Sequence, residues 1–147
     1  MKITDYPDFV SFLDKEKTAT IAIPIDDSGT LHIATMLFSY ELDPFRWYFV
    51  TSKLSEKCTL LRYTEKLVAA ASVGTSYGTP YTLQTRGFVQ IVDKSAHEPE
   101  IKRYHEKRGN THDDITNHDT VLLEYTPNWG RFTDFSKGWD QTKLDLS

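Results

Sequence analysis

The chain is predicted to fold as a mainly β protein, an antiparallel barrel or strongly curled sheet with two or three helices inserted. Strands dominate its hydrophobic pattern, and the early ones are joined by short turns. Aromatic residues make up 13% of the 147 residues, a bias that suits strands. A doubly wound α/β fold would need a helix after most strands, and the sequence does not supply them.

DYPDFVSFLDKE begins with a helix. Phe9, Val10, Phe12 and Leu13 share one face, and Pro7 is tolerated in the first turn. TATIAIPI alternates, with Ala19, Ile21, Ile23 and Ile25 on one side, as a half-buried strand does. Residues 26–30, DDSGT, are built from turn formers. LHIATMLFSY returns as the second strand of a hairpin; Pro44 interrupts ELDPF, and RWYFV makes a third strand. Ser55 stands where the N-cap of a short helix, EKCTLLRYTE, is expected. LVAAASVG is small and apolar on both faces, the pattern of a covered central strand.

After the loop YGTP, YTLQTRGFVQIVDK is a long strand with a bulge or bend at Gly87. HEPEIKRYHEKRG is a second helix with Ile101, Tyr104, His105 and Arg108 on one face, ended by Gly109. NTHDDITNHD is polar and loop-like, and DTVLLEYTP is the last strand. Trp129, Phe132, Phe135 and Trp139 then mark an aromatic tail, suited to cover a core edge, a ligand or a second subunit. No repeat, low-complexity run or linker divides the chain, so a single domain over residues 1–147 is expected.

Composition narrows the function classes. A net charge of −4 leaves no basic footprint for nucleic acid. The lone Cys58 excludes an internal disulfide and any cysteine-rich zinc site. MKITDYPDF has no apolar targeting core and no run reaches membrane-spanning length, so a soluble cytoplasmic protein without a membrane partner is expected. His112, Asp113, Asp114, His118 and Asp119 cluster in a predicted loop, but without HExxH or another fixed geometry, and no metal site is expected. His32 reads as a strand residue and Cys58 as a half-buried thiol, mildly reactive if the helix start lowers its pKa. No GxSxG motif or nucleophile–base arrangement occurs, and catalytic residues are left unassigned.

The stretch YFVTSKLSEK carries the clearest chemistry. A strand delivers Thr51, Ser52, Ser55 and Lys57 to one corner, where hydroxyls, an ammonium and a helix start together suit a phosphate. A strand, a turn and a capped helix on a solvated surface account for the same residues, and spacing alone favours that plainer reading.

Read in order, TATIAIPIDDSGTLHIATMLFSYELDPFRWYFVTSKLSEKCTLLRYTEKLVAAASVG and YTLQTRGFVQIVD resemble the pyridoxamine-phosphate-oxidase-like family of FMN-binding split barrels. The resemblance covers about residues 9 to 93, with weaker agreement at TPNWGRF. It implies an antiparallel split barrel of the FMN-binding type and a homodimer with two cofactor sites at the interface. It also implies that the edge of the second strand, Ala34, Thr35, Met36 and Leu37, borders the isoalloxazine ring. Thr51 and Ser52 would then lie near the ribityl chain, Ser55 and Lys57 on the phosphate, and Gln84 of TLQTRG against the cofactor. Two departures stand out: LHIATMLF lacks the arginine of the pyridoxamine oxidases, and their basic pair is Glu56–Lys57 here. Arg62 or Arg86 are the candidates to compensate. The C-terminal arginine- and histidine-bearing segment of those oxidases is also missing, which argues against vitamin B6 as substrate. The expected activity is hydride or electron transfer with an unidentified small substrate or electron donor. A non-catalytic flavin-binding stress protein and a heme-binding or heme-degrading relative are the alternatives.

Overall fold

The computed structural model describes residues 7–74, 80–108 and 118–146. Eight strands, all paired antiparallel, form one sheet: β1 (Thr18–Pro24), β2 (Leu31–Leu37), β3 (Ser39–Leu42), β4 (Phe45–Ser52), β5 (Leu67–Val73), β6 (Tyr81–Val92), β7 (Thr120–Asp134) and β8 (Asp140–Lys143). Helices α1 (Pro7–Lys15) and α2 (Glu98–Arg108) are inserted. The spatial order is β2-β1-β5-β6-β7-β4-β3, with β8 also paired to β7.

That order explains the curl. β2 and β3 are the two edges of the sheet, yet only Phe38 separates them in the chain. A flat sheet of seven strands would hold its edges about 29 Å apart at ordinary strand spacing, so the sheet must roll until its edges meet. The mainly β, split-barrel expectation is met. LHIATMLFSY is two strands rather than one: Phe38, fully buried, breaks the ladder, and its amide bonds to the Lys17 carbonyl at 3.2 Å. The alternating pattern runs unbroken across Phe38, so periodicity gave no sign of the break.

The rolled interior is aromatic. From α1, Phe9 meets Phe45 and Phe132 edge-on, and Phe12 packs on Tyr81 and Phe132, closing one end of the barrel. Their i, i+3 spacing, with Leu13 beside them, is what seats the helix; each full burial contributes about 1.5–3 kcal/mol. Ala19, Ile21 and Ile23 face the core from β1 as their alternation foretold, while Ile25 lies beyond the strand. The turn after β1 is tied by Asp26, whose carboxylate accepts from the Ser28 and Thr30 amides and the Ser28 hydroxyl; these bonds, Ser28 first, lower its pKa to about 2.

Three further readings are corrected. EKCTLLRYTE is not an α-helix but two 3₁₀ turns, Glu56–Cys58 and Leu61–Tyr63. β5 is covered on one face only: Val68 is 66% exposed, because the small side chains that suggested burial on both faces leave the outer one open. The aromatic tail is no separate segment, since β7 runs on to Asp134 and buries Phe132. Phe135 and Trp139 beyond it pair edge-on at 5.1 Å in solvent. In α2, Ile101 and Tyr104 face the sheet as expected; the side chain of Arg108, the terminator Gly109 and the YGTP loop residues before Pro80 lie outside the described residues.

Candidate functional site

β2 presents residues 34–37 along a free edge. Its only strand partner among the described residues is β1, so alternate backbone N–H and C=O groups point away from the sheet. Met36 packs against the main core and Leu37 against the smaller cluster under α2, while Thr35 is exposed, its hydroxyl 3.0 Å from that of Thr20 on β1. β2 also lies against the Glu56–Cys58 turn of the YFVTSKLSEK corner.

The corner is held by its own backbone. The Ser52 hydroxyl accepts from the Leu54 amide at 3.2 Å, and the Ser55 amide donates to the Ser52 carbonyl at 3.1 Å. Thr51 is half-buried at the end of β4. Ser55 has the extended backbone of a cap but makes no side-chain cap bond; its hydroxyl donates to the Cys58 sulfur at 3.8 Å. Glu56 is exposed, whereas Lys57 is half-buried and has no ion pair among the described residues. Turns of this length sum few peptide dipoles, so positive potential at the corner rests on side-chain cations, Lys57 and Arg62, rather than on a helix end. Burial pushes the Cys58 thiol up, against the smaller lowering from Ser55, Lys57 and Arg62, so the mild reactivity expected of it is not supported. Arg62 donates to the Lys53 carbonyl at 3.2 Å.

Gln84 lies elsewhere. It is exposed on β6, three strands from β2, a lateral distance of about 14 Å. There it belongs to a row in register across the outer face: Thr35, Thr20, Ser72, Gln84 and Arg131 on β2, β1, β5, β6 and β7. The neighbouring row is Ile33, Ala22, Ala70, Arg86 and Trp129. Between them opens a groove of about 360 Å³. The Arg86 guanidinium stacks over Trp129 at 4.0 Å, the Arg131 guanidinium is 5.7 Å from the same ring, and Arg131 donates to the Gln84 carbonyl at 2.6 Å. Arg131 escaped the sequence reading because NWGRF was taken as tail, where Trp129 was read as one of four aromatics suited to cover a core edge, a ligand or a second subunit. Strand alternation from Trp129 to Arg131 is the signal that places both on one face. Arg86, considered for the phosphate corner, lies on this groove instead.

Of the acidic and histidine cluster, His118 and Asp119 are described. His118 sits 3.4 Å from Asp119, which also pairs with Lys53 at 3.6 Å. The other members lie outside the described residues, and among the described residues no group of three ligands suits a metal. No described helix is long and apolar enough to cross a membrane.

No family model matches the chain, and no curated protein matches its sequence. Solved structures do match its fold. A Clostridium acetobutylicum protein related to general stress protein 26, of the pyridoxinephosphate oxidase family, superposes with a TM-score of 0.68 over 99% of this chain and 97% of its own, at 12% identity. HutZ, the heme storage protein of Vibrio cholerae, gives 0.69 over 87% and 92% at 14% identity. An F420 reductase gives 0.61 over 82% and 93% at 19% identity. At these identities the likeness is one of fold: the chain has the split-barrel architecture of pyridoxamine 5'-phosphate oxidase-like proteins.

Proposed function

We propose that this protein binds FMN without a covalent link and serves as an oxidoreductase for a small molecule. The observation that carries the reading is the free edge of β2 lying against a turn that holds Lys57, which has no ion pair among the described residues. Backbone donors and acceptors along residues 34–37 suit the carbonyl and nitrogen edge of a flavin ring. The Ser55 hydroxyl and the Lys57 ammonium suit its phosphate, to which lysine offers a point charge. Glu56, exposed, leaves that charge unopposed. Thr51 and Ser52 end β4 just before the turn, where a ribityl linker would pass. When bound, flavin supplies the hydride and electron chemistry; the chain supplies binding, orientation and polarity, and no protein general base is needed.

Gln84 fits this reading in a homodimer. Three strands separate it from the β2 edge, so a second copy is the simplest source of a glutamine there. The outer face suits such a contact: Leu31, Ile33 and Val68 are 61%, 68% and 66% exposed on one side of the sheet.

The test is flavin retention. FMN is added to wild type and Lys57→Ala, excess is removed by gel filtration, and visible spectra are compared. Wild type is expected to retain flavin and the variant to bind it about 10-fold or more weakly, the scale of one charge-assisted contact. Wild type that retains none overturns the reading. The likeness to a heme storage protein favours one alternative, so heme is titrated in parallel. A Soret band without flavin retention would replace the flavin reading with heme binding.

A further inference from the structure

We propose that the groove between α1, β3 and α2 binds a small linear diamine or polyamine. The groove has a volume of about 600 Å³. Its wall carries four carboxylates, Asp14, Glu41, Asp43 and Glu106, against two cations, Arg103 and Lys107, an excess of two negative charges. Both cations are already engaged. Arg103 meets Glu41 at 3.1 Å and Glu100 at 3.8 Å, and Lys107 donates to the Leu13 carbonyl at 2.9 Å beside the Phe38 ring. Asp43 has no ion pair among the described residues, and Glu106 faces Lys102 at 4.0 Å. An anion entering the groove would meet four carboxylates and no unengaged cation.

Ser39 supplies an observation independent of the acids. It lies on β3, lines the groove and is 2% exposed, and its buried hydroxyl makes no hydrogen bond among the described residues. Burying a hydroxyl without a partner costs stability, and an N–H donor in the groove would remove that cost. Both helices also end here, where unpaired carbonyls carry partial negative charge. Lysine ammoniums already seek those carbonyls: Leu13 accepts from Lys107, and the Lys107 carbonyl accepts from Lys17 at 3.3 Å. Leu42 and the ring of Tyr40, both packed on the core, give the groove an apolar stretch suited to methylene groups. Ammonium groups joined by a short alkyl chain match all three features.

The test is calorimetry on the full-length protein in low-salt buffer, where exposed charges are least screened. Butane-1,4-diamine and spermidine are titrated separately, with butane-1,4-diol as the neutral counterpart and succinate as the anionic one. Saturable binding of at least one amine is expected, and none of the diol or succinate. Asp43→Asn and Glu106→Gln should each weaken it about 2- to 5-fold, the scale of one exposed ion pair, and the double variant about 10-fold. Both side chains are exposed, so these variants should fold as wild type does. Ser39→Ala should weaken binding about 5-fold, the scale of one hydrogen bond, without lowering the thermal midpoint of the amine-free protein. Asp140→Asn, an exposed acid on β8, should match wild type. Lack of saturable amine binding overturns the proposal, as does binding that survives both Ser39→Ala and the double variant. So does an equal loss in Asp140→Asn, which would mark a general attraction to the acidic surface.

Discussion

Lys107 shows how one side chain can tie an element down at a cost. Its ammonium donates to the Leu13 carbonyl at 2.9 Å and lies 3.6 Å from the centre of the Phe38 ring, linking α2 to α1 and to the break between the edge strands. Burial lowers its pKa from 10.5 to about 8, and the nearby Asp14 and Glu16 only partly offset this. The unfolded chain keeps that proton to higher pH. Between about pH 8 and pH 10.5 the unfolded state therefore binds more protons, and this group makes stability rise with pH. Below about pH 8 both states are protonated and the slope vanishes. Lys107→Met, which keeps the apolar stem, should remove the alkaline rise, seen by comparing urea midpoints at about pH 7.5 and about pH 10 with wild type. Glu124 is a second buried charge that sequence concealed, set in the apolar run VLLEY. Its carboxylate, in a residue 4% exposed, accepts from Tyr48 at 3.1 Å and Gln90 at 2.9 Å and faces Arg46 at 3.8 Å and His97 at 3.6 Å. Its four neighbours come from β4, β6 and the approach to α2, so only the assembled sheet provides them.

Among the elements, the β6–β7 ladder bears most of the architecture. It runs twelve rungs and shifts register between Arg86 and Gly87, where the sheet bends. A Cβ at Gly87 would meet the Thr126 carbonyl oxygen at 2.1 Å and the Pro127 Cα at 2.8 Å, backbone atoms that cannot step aside. Gly87→Ala should destabilise the protein by about 3 kcal/mol, the upper range of overpacking, read as a lowered denaturation midpoint. The bend was legible as a glycine interrupting a strong strand pattern, whereas the 3₁₀ turns after β4 were not. Ser55 and the apolar spacing of EKCTLLRYTE satisfy helix signals. Hydrogen bonds from Cys58 to Ser55 and from Thr59 to Glu56 instead close in steps of three. A corner read as a helix start thus depends on the side chains of Lys57 and Arg62 for its charge.

At the scale of the molecule, the curl gives the sheet two unlike faces. The inner one is filled by aromatic and branched side chains; the outer one keeps Leu31, Ile33 and Val68 in solvent beside the arginine–tryptophan groove. If that face meets a second copy, Val68→Glu should turn a dimer into a monomer in sedimentation or light scattering while leaving the circular dichroism spectrum unchanged. A variant still dimeric would place the interface elsewhere. The sequence by itself determined β1, β4, β5, β6 and the first part of β7, the turn after β1, the bend at Gly87 and the inward faces of α1 and β1, because each follows from the local period of apolar side chains and from residues that favour turns. It also placed residues 34–37 and 51–57 in the order a split barrel uses. Only the tertiary structure decided that Phe38 divides two edge strands, that β2 meets the 51–57 corner, and that Gln84 joins Arg131, Arg86 and Trp129 three strands away. Those facts depend on which strands pair and in what register. Pairing joins residues far apart in the chain, and no local pattern of side chains specifies it.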